Sequence, residues 1–330
     1  QEGFHVQHSS IERDSKNPLN LLKSVLEIRK FARENDVNIV HSFKFVPNLI
    51  NSCANIFTGK KVVLHIAGLG IAFANTTVKF RILKFIQQVL FLMQFLRANL
   101  VIIQNPDDYN DFFFKQYFRK KIKVVKGSGV NITKFCPSTD VIDKISGSSE
   151  KMVFLCTTRL IWEKGIRELV EAFESLPDEV REKTELRIIG EPDNKNPRGV
   201  TNDYITGYST NPCIRFLGRQ DNITEHLQNS DVFILPSYYR EGIPRSILEA
   251  LAAGLPVITT DVPGCNLTIV PDQNGILIPP RSTEAIRRAV EKIIAERERW
   301  TDMGSASRNL AISEFSENRI FTEIVKLYNQ

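Results

Sequence analysis

Cysteine is sparse and scattered. The 330 residues hold five, Cys53, Cys136, Cys156, Cys213 and Cys265, with no Cys-x-x-Cys pair among them. An odd number at wide spacing suggests neither a disulfide framework nor a zinc site. Each is expected to be a small buried apolar residue, in a reducing cytosolic compartment. No Gly-x-Gly-x-x-Gly run follows a strand pattern, which argues against a nicotinamide-dependent dehydrogenase. No Asp-x-Asp pair is present. Glu163, Glu191 and Asp193 are far apart in the chain and sit among Gly, Pro and Asn turn residues, so loop roles are expected and a required metal is not. No arginine-rich, zinc-finger, RRM or KH element is visible, so nucleic acid is not an expected partner. The opening residues do not have the pattern of a secretory leader.

Long apolar runs are missing as well. The one membrane candidate, Phe80 to Leu96, is interrupted by Arg81, Lys84, Gln87, Gln88 and Gln94. A spanning helix needs ~20 mainly apolar residues, so this stretch reads as a long helix packed on a sheet. What the chain does have is an ordinary globular composition, 42% hydrophobic and 25% charged, at a length that favours two domains. Lys and Arg exceed Asp and Glu, 43 to 38, for a net charge of +5. That surplus suits an anionic membrane surface or a diphosphate substrate, and equally a basic surface with no functional asymmetry.

Strand and helix patterns alternate along the chain. Gly3 to His8 reads as a strand already inside a domain. Leu19 to Glu34 is an amphipathic helix opened by Pro18. Ile39 to Phe43 is a strand, Pro47 to Phe57 a helix, Lys61 to Ile66 a buried strand, and Leu100 to Ile103 a strand after the long helix. Asn105 and Pro106 cap and start another helix, which explains Asp107 and Asp108 better than a metal pair does. Ile122 to Val125 closes the first series. Asp140 to Glu150, with Ser146-Gly147-Ser148-Ser149, reads as a linker. A second series begins at Met152 to Leu155. It continues with strands at Leu186–Ile189, Ile214–Phe216, Val232–Leu235 and Val257–Thr260, and terminal helices at Ser282–Glu298 and Ser316–Tyr328. Helices between the strands make both series parallel.

The densest chemistry follows the Val232–Leu235 strand. Tyr239-Arg240-Glu241-Gly242-Ile243-Pro244 places a carboxylate in a loop, and Glu249 follows on the next helix, which stops at Gly254. Ligands of open α/β sheets bind at the carboxyl ends of strands, and a helix start favours anions such as a diphosphate. One carboxylate near a sugar and one near a ribose, with phosphates between them, would fit a nucleotide-sugar. A metal-free diphosphate site must also neutralise the bound charge. Arg159, a planar fork, and Lys164, a mobile point charge, suit that task just beyond the Met152–Leu155 strand. Both are expected on the surface.

These elements resemble the retaining family 4 glycosyltransferases, whose fold is called GT-B. The resemblance runs through Leu155 to Gly165, Ile188-Ile189-Gly190-Glu191-Pro192-Asp193 with Asn196-Pro197, Arg215-Phe216-Leu217-Gly218-Arg219, the Glu241 to Glu249 segment and Asp261-Val262-Pro263-Gly264-Cys265. In the first half, Asn17-Pro18-Leu19, His41-Ser42-Phe43, Gly68-Leu69-Gly70 and Gly127-Ser128-Gly129-Val130 are similar to the subfamily that extends polyprenyl-diphosphate-linked sugars. The resemblance implies two Rossmann-like parallel-sheet domains facing a cleft. They would be an acceptor-side domain over residues 1–146, with its first βαβ element absent before Gly3, and a nucleotide-sugar domain over 147–315. A last helix over 316–330 would cross back.

It implies a metal-independent enzyme with no cofactor, moving a sugar from a UDP-sugar to a polyprenyl-diphosphate-linked saccharide. Such an enzyme would be cytoplasmic and peripheral on an anionic bacterial inner membrane. Glu241, Arg159 and Lys164 would be catalytic. Glu249, Gly242, Ile243, Pro244, Leu217, Gly218 and Arg219 would bind the donor, with Glu249 on ribose hydroxyls. His65, Gly68, Leu69 and Gly70 would lie on the acceptor side, and Gly129 and Val130 at the hinge or cleft. The family often carries a polar residue or His two places before its glycine turn; here that slot is Ala67, and His65 lies two residues earlier on the same strand face. It either faces the cleft or is a buried structural histidine. Competing readings are a different acceptor, such as a lipopolysaccharide core, a sugar-nucleotide epimerase, and a non-catalytic module that binds a sugar nucleotide.

Overall fold

The structure is a computed structural model that describes residues 6, 8, 18–74, 77–138, 151–193 and 196–330. The linker expected over Asp140–Glu150, and with it the boundary near residue 146, lies outside the described residues. So does most of the strand expected over Gly3–His8. The chain divides into two compact units, Gln1–Val125 and Lys126–Gln330. All five cysteines are free thiols. Cys156, Cys213 and Cys265 are buried as expected, whereas Cys53 and Cys136 are only half-buried, on the margins of their units.

The first unit is built on four parallel strands in the order β1 (Ile39–Phe43), β2 (Lys61–Ile66), β3 (Leu100–Ile103) and β4 (Ile122–Val124). β2 and β3 are almost wholly buried, as strands rich in Val, Leu and Ile should be in a parallel sheet. The helix Pro18–Glu34 opens on its proline as expected. The next helix runs Phe45–Ala54, starting two residues before Pro47, which therefore sits within the first turn, where its missing N–H does no harm. A buried polar ladder locks this helix to the sheet. Asn48 donates to the His65 carbonyl at 3.1 Å, and Asn51 donates to the Val40 carbonyl and to Ser42 Oγ, both at 2.9 Å. Asn105 caps the helix Pro106–Asp111 by accepting from Asp107 N.

The long helix spans Val78–Arg97. It packs on the sheet along one stripe only, through Gln88, Phe91, Gln94 and Phe95. Val78, Ile82, Leu83, Phe85, Ile86, Val89, Met93 and Leu96 are exposed. The expectation of a helix packed on a sheet accounts for one side of it. The sequence is apolar nearly all round, and the sheet has room for one face. Among the described residues no helix is long and apolar enough to cross a membrane.

The second unit holds six parallel strands in the order β10-β9-β8-β5-β6-β7. These are β5 (Met152–Thr157), β6 (Thr184–Ile189), β7 (Ile214–Gly218), β8 (Val232–Leu235), β9 (Val257–Thr260) and β10 (Gly275–Ile278). β6 begins two residues earlier than its apolar run, and β7 carries Leu217 and Gly218 inside the strand. β10 and the helix Trp300–Phe315 are additions to the elements expected from the sequence pattern. The Thr283–Ala295 helix is capped by Ser282, and the last helix runs Glu317–Tyr328. After β5 the chain moves outward to β6 and β7, then returns to place β8 on the other side of β5. That reversal makes the carboxyl ends of β5 and β8 the switch point at which such sheets hold ligands.

Candidate functional site

Arg159 and Lys164 follow β5, and Glu241 follows β8, so the switch point gathers residues that are far apart in sequence. After β5 a short 3-10 turn, Trp162–Lys164, ends at Gly165 with φ 76°. A side chain at Gly165 would begin 2.2 Å from the Pro236 carbonyl oxygen. Glycine is therefore required twice there, for the left-handed backbone and for the close approach. Tyr238 N donates to the Glu163 carbonyl at 2.9 Å and Ser237 Oγ reaches the same oxygen at 3.4 Å, stitching the two loops together. The result is an ion pair between Lys164 Nζ and Glu241 Oε1. The Tyr239 ring lies beside both cations, 6.0 Å from the Arg159 guanidinium carbon and 5.9 Å from Lys164 Nζ.

Lys164 is not on the surface as expected: it is 5% exposed. Gly165 pulls its backbone under the β8 loop, and the side chain is enclosed with it. Burial lowers its pKa to about 8, with the nearby Arg159 charge pushing the same way and the Cys265 and Cys156 thiols opposing. Arg159 stays exposed. The arrangement is a buried ammonium paired to a carboxylate, with an exposed guanidinium beside the same Tyr239 ring.

Glu249 sits on the Arg245–Ala252 helix, where Arg245 Nε approaches it at 3.2 Å. Burial raises its pKa and the Arg245 charge opposes that. Gly242, Ile243 and Pro244 are buried and lead into the helix. Their loop is held from behind by Gly264, at φ 93°, where a Cβ would stand 1.6 Å from the Gly242 carbonyl oxygen. Gly264→Ala should therefore displace the Glu241 loop and destabilise the second unit by ~2 kcal/mol, as overpacking does. Chemical denaturation measures this, and an unchanged midpoint would contradict the close approach.

Leu217 and Gly218 close β7, the edge strand, and Arg219 extends into solvent 3.7 Å from Asp221. Gly129 packs where a Cβ would meet the Glu317 backbone at 2.9 Å, and Val130 pairs with Phe315 and Glu317 through its backbone. Gly127, at φ 75°, lies beside the Ile243 side chain at ordinary contact distance. His65, Gly68, Leu69 and Gly70 lie together in the first unit, on β2 and the turn after it, with φ 103° and 74° at the two glycines. His65 is 1% exposed, a buried histidine, and burial lowers its pKa to about 3. Two further contributors, the Tyr239 ring and the supporting Gly264, carry no assignment from sequence alone. Both lie in the motifs named above, but a ring beside a cation and one loop's backbone pressed on another's leave no spacing signal. Among the described residues, no three His, Cys, Asp or Glu side chains are gathered as a metal would need.

The family model described as glycosyl transferases group 1 matches residues 138–310, just over half of the chain. The chain belongs to that family. The match contains Arg159, Lys164, Glu241 and Glu249. Among curated relatives, this glycosyltransferase is 25% identical over 339 residues to a protein of Campylobacter jejuni, covering 99% of the chain and 86% of the relative. That protein is N,N'-diacetylbacillosaminyl-diphospho-undecaprenol alpha-1,3-N-acetylgalactosaminyltransferase. It is 26% identical over 318 residues to the UDP-Gal:alpha-D-GlcNAc-diphosphoundecaprenol alpha-1,3-galactosyltransferase of Escherichia coli, covering 93% and 79%. Sucrose-phosphate synthase of Thermosynechococcus elongatus superposes with a TM-score of 0.82 at 21% identity, over 97% of this chain and 80% of that one. HepE of Anabaena, solved with UDP, superposes at 0.77 and 18% identity, over 95% and 84%. These likenesses establish the fold: GT-B, with two Rossmann-like parallel-sheet domains.

Proposed function

We propose that the enzyme transfers a sugar, with retention, from a UDP-sugar to a polyprenyl-diphosphate-linked saccharide at a membrane surface. The observation that carries this is the buried Lys164–Glu241 pair beside Arg159 at the switch point. A diphosphate bound there meets two positive charges, and its leaving charge is neutralised without a metal. Glu241, already turned toward Lys164, positions hydroxyls of the donor sugar near the bond that breaks. Retaining members of this family are described as reacting on one face, the acceptor proton passing to the leaving phosphate, so Glu241 stabilises and forms no covalent intermediate. Glu249 binds the ribose, and the Gly242–Pro244 backbone faces the diphosphate. Leu217, Gly218 and Arg219 complete the donor side. His65 and the Gly68–Gly70 turn serve the acceptor.

The donor reading draws on the UDP complex of HepE, and the acceptor reading on the two relatives whose names specify undecaprenyl-diphosphate substrates. The test is the mass of the product formed from a panel of UDP-sugars and a polyprenyl-diphosphate sugar. One added sugar on the lipid supports the proposal. Transfer only to a lipopolysaccharide core would replace the acceptor, and UDP binding without transfer would make the chain a binding module.

The exposed apolar side of the Val78–Arg97 helix supports the membrane part, on the cytoplasmic face where anionic lipid lies. Lys79, Arg81 and Arg97 flank that side and are exposed, as are Arg119 and Lys120 nearby in sequence. Lys84 is engaged with Asp111 at 3.3 Å and Lys121 with the Phe95 carbonyl, so both are held by the protein itself. Each exposed cation near an anionic surface contributes ~1 kcal/mol. Vesicle sedimentation should show binding that weakens with salt and with Lys79→Ala plus Arg81→Ala. Equal binding to neutral and anionic vesicles would sink the idea.

A further inference from the structure

The first sheet carries an unusual cluster at its carboxyl edge. Phe43 ends β1 and pairs in register with His65 on β2. Its ring stacks on His65 at 4.7 Å between centroids and on His41 at 4.4 Å, with interplanar angles of 28° and 27°. The two imidazoles are nearly parallel, 9° apart. Yet the Phe43 side chain is 50% exposed, so an aromatic ring backed by two others presents open surface.

Two more features at the same edge work against stability and are not explained by packing. Lys44, the next residue, has φ 74° and ψ 166°, a backbone region that favours glycine. Gln104 hydrogen-bonds His65 Nε2 at 3.1 Å and leaves the ring's other nitrogen, Nδ1, facing the interior. That nitrogen is buried without a hydrogen-bond partner among the described residues. An exposed aromatic, a strained lysine and an unpaired buried imidazole nitrogen together mark a functional place better than a packing one. The surrounding scaffold is rigid. Ser42 Oγ bonds Asn48 at 2.8 Å, Asn48 bonds the His65 carbonyl, and Lys44 N bonds the same carbonyl at 3.0 Å. A preorganised ring on a rigid base is what a weakly polar ligand face requires.

We propose that Phe43 is the stacking platform of a saccharide subsite, its open ring receiving the apolar C–H face of a pyranose and His65 and His41 holding it from behind. The proposal rests on the glycosyltransferase reading above and assigns the platform to the acceptor sugar. A nucleobase would stack as well, and the separate UDP titration below distinguishes the two. Both imidazoles stay neutral near pH 7, because burial lowers His41 to about 4 and His65 to about 3. The stack therefore presents no charge under the sugar.

Two measurements test it on the full chain, with Phe43→Ala and Phe43→Trp. The first titrates N-acetylglucosamine, N-acetylgalactosamine and UDP separately into each protein by saturation-transfer NMR. The second measures KM for a farnesyl-diphosphate-linked N-acetylhexosamine and for the UDP-sugar. Phe43→Ala should weaken saccharide binding and raise acceptor KM by roughly twofold to tenfold, the order of one lost stacking contact. It should leave UDP affinity and donor KM unchanged, and be rescued by Phe43→Trp. Because Phe43 is exposed, folding should be retained. Unchanged saccharide binding in Phe43→Ala would overturn the proposal, and so would an equal loss of UDP. If the wild type transfers no sugar but its saccharide binding still depends on Phe43, the platform stands and the transfer reading fails.

Discussion

Arg159→Ala and Lys164→Met should each lower turnover by ~100-fold or more, the scale on which a lost transition-state electrostatic contact acts. The two are expected to fail differently. Arg159 is exposed, and its removal leaves the fold intact. Lys164 is buried against Glu241, so Lys164→Met also leaves a partly buried carboxylate unpaired, at a cost of about 3–5 kcal/mol. Its thermal midpoint should drop where that of Arg159→Ala does not. The pH dependence separates them further. The pKa of Lys164 is lowered to about 8, so the ammonium is present below that pH and lost as pH rises through it. In the proposed mechanism, diphosphate binding and charge neutralisation need the protonated form. Hence kcat/KM for the UDP-sugar, which reports the free enzyme, should be level below about pH 8 and decline above it. The Arg159 charge helps to lower Lys164, so in Arg159→Ala the decline should move to higher pH. Steady-state kinetics from mildly acidic to strongly alkaline pH checks both points. Near-normal turnover in both variants removes the pair from the site.

The parallel strands and most helices were legible because their signals are local. β3 and β8 are continuous apolar runs, and Asn105-Pro106 and Ser282 are caps that need no tertiary context. The helix Trp300–Phe315 is hidden because its weakly amphipathic sequence, Trp-Thr-Asp-Met-Gly-Ser-Ala-Ser, has small residues where the packing is close. Gly304, for example, lies where a Cβ would meet the Gly254 carbonyl at 2.4 Å. In the site, Glu241 and Arg159 can be chosen from loop position and charge type. The burial of Lys164 cannot, because it follows from the approach of Gly165 to Pro236, a meeting of two loops that only the fold brings together. Phe43 belongs to a recognisable motif, but its exposure depends on strand register, which one sequence does not reveal.

The two carboxylates should divide the work, and the contrast between their variants tests this better than either alone. Glu241 touches Lys164 at the switch point, which the proposed mechanism makes the place of bond breaking. Glu249 lies a turn along its helix and is held by Arg245 at 3.2 Å. Interactions that strengthen in the transition state change kcat, while those equal in ground and transition states change mainly KM. Glu241→Gln should therefore lower kcat ~100-fold or more and leave UDP affinity little changed. It also removes the negative partner of Lys164, so the alkaline decline should shift to lower pH. Glu249→Gln should raise KM for the UDP-sugar and weaken UDP itself by ~1–3 kcal/mol, for a lost charge-assisted hydrogen bond. The effect should sit toward the lower end, because Arg245 already competes for the carboxylate and is freed by the substitution. UDP titration calorimetry and initial rates on both variants measure the split. Equal loss of UDP affinity in the two, with kcat unchanged, would refute the division and leave a shared binding role.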